Sequence, residues 1–101
     1  MIVISGFDDL LKKYSSLPDS GWLYVDESFD LTSIDDIERG KYYIAENEDE
    51  EMDFEENYGT FLESPIFKAI IENKLELTPQ SDRDDLFNAV IHYINNDDFM
   101  D

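Results

Sequence analysis

From Glu46 to Glu56 the chain reads Glu-Asn-Glu-Asp-Glu-Glu-Met-Asp-Phe-Glu-Glu, with eight carboxylates, no basic residue and two apolar side chains. Because like charges at this density repel one another, the pattern indicates a loop or a hairpin tip that runs to Tyr58 and ends at Gly59. Met52 and Phe54 would either tuck back against the body or form the exposed apolar centre of a charged surface. The rest of the chain is interpreted as a scaffold that presents this stretch.

Two short strands are predicted on the N-terminal side of the acidic stretch. Lys41 to Ala45 leads directly into it, and Trp22 to Val25 is a dense run of aromatic and β-branched side chains. The two strands can pair as antiparallel neighbours. Between them, Ser33 with Asp36 three residues later resembles an N-cap, which favours one helical turn from Ile34 to Arg39.

Three longer helices are predicted outside the strands, from about Gly6 to Ser16, from Ser64 to Lys74 and from Asp82 to Asn95. Ser64 is a favourable N-cap residue, and Pro65 after it suits the first helical position. The last two helices carry broad apolar stripes that can pack on each other and on a sheet face. These stripes consist of Ile66, Phe67, Ile70, Ile71, Leu86, Phe87, Val90, Ile91 and Ile94.

The elements together predict a small α+β protein in the order helix, strand, strand, helix, helix. A short antiparallel sheet would be packed by the C-terminal helices. The length of 101 residues fits one domain, assigned to residues 1–101. A composition with 42% hydrophobic and 14% aromatic residues argues against disorder, because a core can be formed.

The charge balance restricts the partners that this chain can bind. Its formal net charge of −19 arises from 26 acidic residues against seven Lys and Arg. Nucleic acid and anionic membranes are poor partners, since each phosphate contact needs a cation. A basic protein is the natural complement, and no direct nucleic-acid or membrane contact is expected.

Residues for catalysis, metal binding or cofactor binding are scarce. The chain has no cysteine and one histidine, His92, which is interpreted as a partly exposed helical residue. The stretch from Glu46 to Glu56 has no glycine for the sharp turn of a calcium loop. Neither a glycine-rich phosphate loop nor a nucleophile elbow is present. The sequence therefore predicts no enzyme activity, no metal and no cofactor.

The first residues lack the basic and long apolar regions of a secretory signal, and no later segment has the roughly 20 apolar residues of a membrane span. A soluble, cytoplasmic protein is therefore expected. The oligomeric state is left open, although a strand edge beside Tyr42 could pair with a second copy.

A partner-binding surface is predicted around the acidic stretch. The acids after the first strand would lie near the segment that leaves the second strand and would enlarge one negative field. Aromatic side chains beside it are of the type enriched in tight interfaces. The predicted partner-binding residues are Asp26, Glu27, Asp30, Glu46, Glu48, Asp49, Glu50, Glu51, Asp53, Phe54, Glu55, Glu56 and Tyr58.

Three segments resemble a known family. They are Leu-Pro-Asp-Ser-Gly-Trp-Leu-Tyr-Val at 17–25, Ser-Pro-Ile-Phe-Lys-Ala-Ile-Ile-Glu-Asn-Lys at 64–74 and His-Tyr-Ile-Asn-Asn-Asp-Asp-Phe at 92–99. The chain resembles the small acidic immunity proteins of bacterial contact-dependent growth inhibition systems. This resemblance implies binding to the C-terminal toxin domain of a large secreted effector, often a basic nuclease that cuts RNA or tRNA. It assigns no individual contact residue, because the contacts differ between pairs in that family.

Two other functional classes are considered beside this one. A nucleic-acid mimic would inhibit a DNA- or RNA-binding protein by imitating a phosphate ladder, which needs carboxylates spread along one extended face. The concentration of acids in one stretch places this class second. An enzyme ranks third, since it would have to use His92.

Overall fold

In the computed structural model, which describes residues 1–97, four short strands form one antiparallel sheet. The strands are β1 (Ile2–Ser5), β2 (Trp22–Val25), β3 (Lys41–Ile44) and β4 (Gly59–Glu63), in the spatial order β1-β3-β2-β4. Five α-helices accompany them: α1 (Gly6–Lys12), α2 (Ile34–Arg39), α3 (Glu48–Asn57), α4 (Ser64–Leu77) and α5 (Arg83–Asn96). A short 3₁₀ turn at Tyr14–Ser16 follows α1.

Every neighbouring pair of strands is antiparallel, so β1 runs parallel to β2 on either side of β3, and β3 runs parallel to β4 on either side of β2. Each of these parallel pairs is joined by a crossover that contains a helix. The first crossover contains α1, and the second consists of α3. Both helices are therefore held across the sheet by the chain connections on either side.

Alternation of side chains along the strands gives the sheet two covered faces. Leu23 and Val25 of β2 lie in the main core with α1, α4 and α5, whereas Tyr24 between them faces the other way. The main core is formed by Ile4, Phe7, Leu10, Leu17, Leu23, Val25, Ile37, Tyr42, Ile44, Phe61, Phe67, Ile70, Ile71, Leu86, Phe87, Ala89 and Val90.

The opposite face of the sheet is covered by α3. Phe54 of α3 packs there with Tyr24 and Tyr43 in a second cluster that also includes Ala45 and Tyr58. The molecule therefore has three layers, with four helices on one side of the sheet and α3 on the other. The α+β class and the antiparallel pairing of Trp22–Val25 with Lys41–Ile44 are confirmed.

The prediction of a loop from Glu46 to Tyr58 was wrong, because residues 48–57 form α3. Local caps and a buried aromatic anchor offset the repulsion between its carboxylates. The predicted element order was also incomplete, since it lacked β1, α3 and β4 as elements. Ser64 is the first residue of α4, and its side chain makes no cap hydrogen bond. The predicted boundary at residue 101 and the end of segment 92–99 lie outside the described residues.

Within residues 1–97, none of the helices combines the length and the apolar character that a bilayer crossing requires.

Candidate partner-binding site

The acidic helix α3 is held at its first turn by two local hydrogen bonds. The Asn47 side chain accepts from the Glu50 backbone N–H at 2.8 Å, and the Glu50 carboxylate accepts from the Glu46 backbone N–H at 3.0 Å. Four acidic residues lie in this turn, where negative charge is favourable beside the positive end of the helix dipole. The N-terminal half of the acidic stretch thus has local reasons to be helical.

One buried aromatic residue attaches α3 to the sheet. Phe54 is 3% exposed, and its ring centroid lies 5.0 Å from that of Tyr24 and 4.8 Å from that of Tyr58. Tyr43 completes the cluster at 6.1 Å. Phe54 was predicted to contact a partner. Its ring is instead buried against the sheet, so it anchors α3 internally. The exposed apolar residue of α3 is Met52, with 62% of its surface accessible.

The carboxylates of α3 fall into two rows on the helix surface. At 3.6 residues per turn, Glu48, Glu51 and Glu55 lie on one flank, whereas Asp49, Asp53 and Glu56 lie on the side away from Phe54. We call these the flank row and the outer row. All six side chains are exposed, so the helix presents charge in two directions.

Few cations neutralise this helix. Of the eight carboxylates from Glu46 to Glu56, Glu46 and Glu50 pair with the Met1 amine, at 2.5 and 2.8 Å. Hydrogen bonds to Glu46 and Glu50 raise the pKa of the amine, and the hydrogen bond from the amine lowers the pKa of Glu50. Within residues 1–97, no ion pair involves the other six, which are the flank and outer rows.

Asp26 borders the same face of the sheet. Its carboxylate accepts a hydrogen bond from the Tyr43 hydroxyl at 3.1 Å, and Tyr43 packs on Tyr58 at the end of α3 with a centroid distance of 5.2 Å. Burial raises the pKa of Tyr43, and the hydrogen bond to Asp26 adds to this. Glu27 is exposed in the following turn. These acids extend the negative surface beyond the C-terminal end of α3.

Asp30 lies apart from these acids, in the turn before α2. Its carboxylate accepts from the Thr32 backbone N–H at 2.8 Å and from the Thr32 hydroxyl at 2.7 Å. These hydrogen bonds lower the pKa of Asp30. Its backbone N–H donates to Asp36 at 2.8 Å, so Asp30 is committed to that turn. Within residues 1–97, no hydrogen bond or ion pair joins the Asp30 side chain to α3.

A groove of about 460 Å³ lies between the flank row of α3 and the start of β2. We call it the α3 groove, and its lining includes Trp22, Tyr24, Glu48, Glu51 and Ser64. Sequence reasoning did not predict this groove, because it joins residues from β2, α3 and the start of α4. Among its lining residues, Glu46, Glu48 and Glu51 were predicted to bind a partner, and the Ser64 hydroxyl was assigned to a helix cap that it does not form.

The acidic side chains do not converge on a metal. Across residues 1–97, no group of three or more Asp, Glu or His side chains is placed to hold a metal ion. The carboxylates of α3 project along and away from the helix, so they suit an extended cationic surface better than a single ion.

The chain belongs to the family of the domain of unknown function DUF7716, and the match covers residues 5–101. Comparisons with curated proteins and with solved structures gave no match.

Proposed function

We propose that this protein binds and neutralises a basic protein partner through α3, as an immunity protein does with its toxin. The observation that carries the proposal is the ordered acidic helix, whose flank and outer rows have no ion-pairing cation among the described residues. In this proposal the chain performs no catalytic step and acts in the cytoplasm.

The chemistry of the partner follows from the charge of the helix. A nuclease holds nucleic-acid phosphates with lysine and arginine side chains. Carboxylates placed against those cations would neutralise them and exclude the phosphate backbone. A basic toxin domain that cuts RNA or tRNA is therefore the partner class that we propose.

The geometry of α3 favours rapid and specific association. Opposite charges steer encounter over distances of about 8 Å at physiological salt. Because the helix is already attached by Phe54, binding would not require the loss of entropy that ordering a free acidic loop entails. Met52 lies exposed among the carboxylates and offers an apolar contact at the centre of the charged surface.

The first test uses the protein encoded immediately upstream. Its C-terminal segment is expressed in a test bacterium with and without this chain, and survival and the integrity of RNA and DNA are scored. We expect killing with nucleic-acid cleavage, and rescue by this chain. A harmless product, or killing that this chain does not prevent, would contradict the proposal.

The second test asks whether α3 forms the interface. The outer-row variant, Asp49→Asn, Asp53→Asn and Glu56→Gln, should slow association by about tenfold at low salt and flatten its salt dependence. The control variant, Asp35→Asn, Glu72→Gln and Glu76→Gln, removes three exposed charges elsewhere. If both variants slow association equally, the effect is due to net charge, and the proposal that α3 forms the interface is contradicted.

A nucleic-acid mimic is the second candidate, and the helical arrangement favours it more than a loop would. The rows place carboxylates about one turn apart, roughly 5.4 Å, in a regular array. However, ten residues of helix span only about 15 Å, which is a short ladder. A mimic would bind several unrelated nucleic-acid-binding proteins, and duplex DNA or RNA would displace it from each. Binding to a single toxin would favour the immunity function.

A further inference from the structure

The α3 groove is built by three separated parts of the chain. Trp22 and Tyr24 of β2 contribute aromatic surface, and Glu48 and Glu51 of α3 contribute carboxylates. Ser64 closes one end, where its backbone N–H donates to the Gly21 carbonyl at 2.8 Å. The sheet register shifts between Trp22 and Tyr24, with one additional residue on β4. Such a bulge re-aims side chains, and here it lies beside the groove.

Two buried hydroxyl groups at the groove have no hydrogen-bond partner among the described residues. They belong to Tyr24, which is 1% exposed, and Ser64, which is fully buried. Nearly all buried polar side chains in folded proteins have a partner, and leaving one unpaired is unfavourable. Both residues line the groove, but their hydroxyl oxygens are closed to water in this conformation, so a ligand with several hydrogen-bond donors would satisfy them where the lining opens around it.

The groove is lined by negatively charged side chains, which favour a cationic ligand. Glu46, Glu48 and Glu51 line it, and its described lining includes no lysine or arginine. Burial raises the pKa of Tyr24, and the nearby carboxylates of Glu51 and Glu55 raise it further, as expected for a site of negative potential. Since the described acids form no metal-binding group, the groove suits an organic cation.

We propose that the α3 groove binds the guanidinium group of an arginine side chain from the basic partner. A guanidinium is planar, stacks on aromatic rings and carries five N–H donors, whereas an ammonium is a compact, strongly hydrated charge. The aromatic surface of Trp22, the two unpaired hydroxyls and the carboxylates of Glu48 and Glu51 match these properties together. The inference rests on the proposed function, because it assigns the arginine to that partner.

Trp22 is the only tryptophan in the chain, so its fluorescence reports on the groove. The probe is N-acetyl-arginine methylamide, and its neutral isostere, N-acetyl-citrulline methylamide, is the control ligand. We expect a saturable change in Trp22 fluorescence with the arginine probe, a weaker one with the lysine analogue, and none with the citrulline analogue. Equal responses to the arginine and citrulline probes overturn the inference.

Matched variants locate the binding on the helix. Glu48→Gln with Glu51→Gln should raise the Kd for the arginine probe by about tenfold, because charge-assisted hydrogen bonds are lost. Glu72→Gln with Glu76→Gln removes the same charge at exposed positions of α4 and should leave the Kd nearly unchanged. If this control pair weakens binding of the probe as much as the flank pair does, the groove is not the site.

Ser64→Ala gives a variant that should fold, since it removes a buried hydroxyl that makes no hydrogen bond. We expect weaker binding of the arginine probe with an unchanged circular dichroism spectrum. Unaltered binding would show that the hydroxyl does not contact the guanidinium, and would overturn the assigned geometry.

The partner complex separates this inference from the proposed function. The Glu48→Gln, Glu51→Gln variant should dissociate faster from the toxin domain than the wild type does. If it binds the toxin normally while the outer-row variant associates slowly, the groove assignment fails and the proposed function stands. If neither variant affects a complex that does form, both the groove assignment and the α3 interface fail.

Discussion

Tyr42 and Tyr43 are adjacent in β3, and their hydroxyls lie on opposite sides of the sheet. Tyr42 donates to the Ile37 carbonyl at 2.6 Å within the main core, whereas Tyr43 donates to Asp26 on the face that α3 covers. Sequence alternation predicts one inward and one outward side chain at this pair. Both are buried because the outward face has its own helix. A period-two pattern identifies the faces of a strand, but it does not reveal which faces are covered.

Alkaline pH should destabilise the fold through Tyr42. Burial raises the pKa of Tyr42 well above its usual value near 10, so the unfolded chain releases this proton at a lower pH than the folded chain does. The stabilising contribution is complete below about pH 10 and is lost above it, at about 1.4 kcal/mol per pH unit for one tyrosine. Urea unfolding between pH 8 and 11 measures this loss.

Tyr42→Phe is the matched variant for this experiment. It should be less stable at neutral pH by about 1 kcal/mol, because the hydrogen bond to Ile37 is lost. Its stability should also fall less steeply above pH 10. Parallel pH profiles for the variant and the wild type would show that Tyr42 is not the responsible group.

At the scale of elements, the helical structure of α3 could not be predicted from the sequence. Charge repulsion correctly indicated that the segment is not a strand. It did not predict that Phe54 packs against Tyr24 and Tyr43, because these residues are distant in sequence. β4 was missed for the same reason, since a five-residue strand is defined by its pairing with β2. The turn at Ile34–Arg39 was predicted correctly because its cap is local, with the Ser33 side chain accepting from the Asp36 N–H at 3.1 Å.

Removal of the anchor should detach α3. Phe54→Ala deletes the only buried side chain of the helix, and we expect a loss of about 3 kcal/mol in the free energy of unfolding. Helical circular dichroism should fall as well, because an isolated acidic helix of ten residues is not stable in water. Chemical denaturation and far-UV spectra measure these effects.

Met52→Ala on the same helix is the control, since Met52 is exposed. Its effect on stability should be within about 0.5 kcal/mol. Equal destabilisation by the two variants would mean that Phe54 does not anchor the helix as described.

At the scale of the whole molecule, the net charge of −19 opposes the compact state. From this charge the sequence alone predicted a basic partner, and the predicted contact residues include all seven acids of α3. It did not predict the two rows, the groove or the separate place of Asp30, because each depends on the helix and on the sheet topology. The predicted acidic loop is a helix in the structure, and the role of its acids in binding a partner stays a prediction.

Salt should stabilise this protein. Screening reduces the repulsion among the exposed carboxylates, so the Tm should rise by several degrees between about 20 mM and 500 mM NaCl. The outer-row variant should have a higher Tm at low salt and a smaller increase with salt. Differential scanning calorimetry measures both. A Tm that is independent of salt would show that repulsion contributes little to the stability.

The strand order β1-β3-β2-β4 also governs when the protein can become complete during synthesis. Ile2 pairs with Ile44, and Trp22 pairs with Glu63. Each edge strand, β1 or β4, therefore pairs with a strand about forty residues away along the chain. Only β2 and β3 are joined to a sheet neighbour that follows directly in sequence. A nascent chain must therefore extend past Ser64 before α3 is fixed at both ends and the groove has all its walls. The acidic helix and the groove therefore take their final form late in synthesis, after Ser64 has been added to the chain.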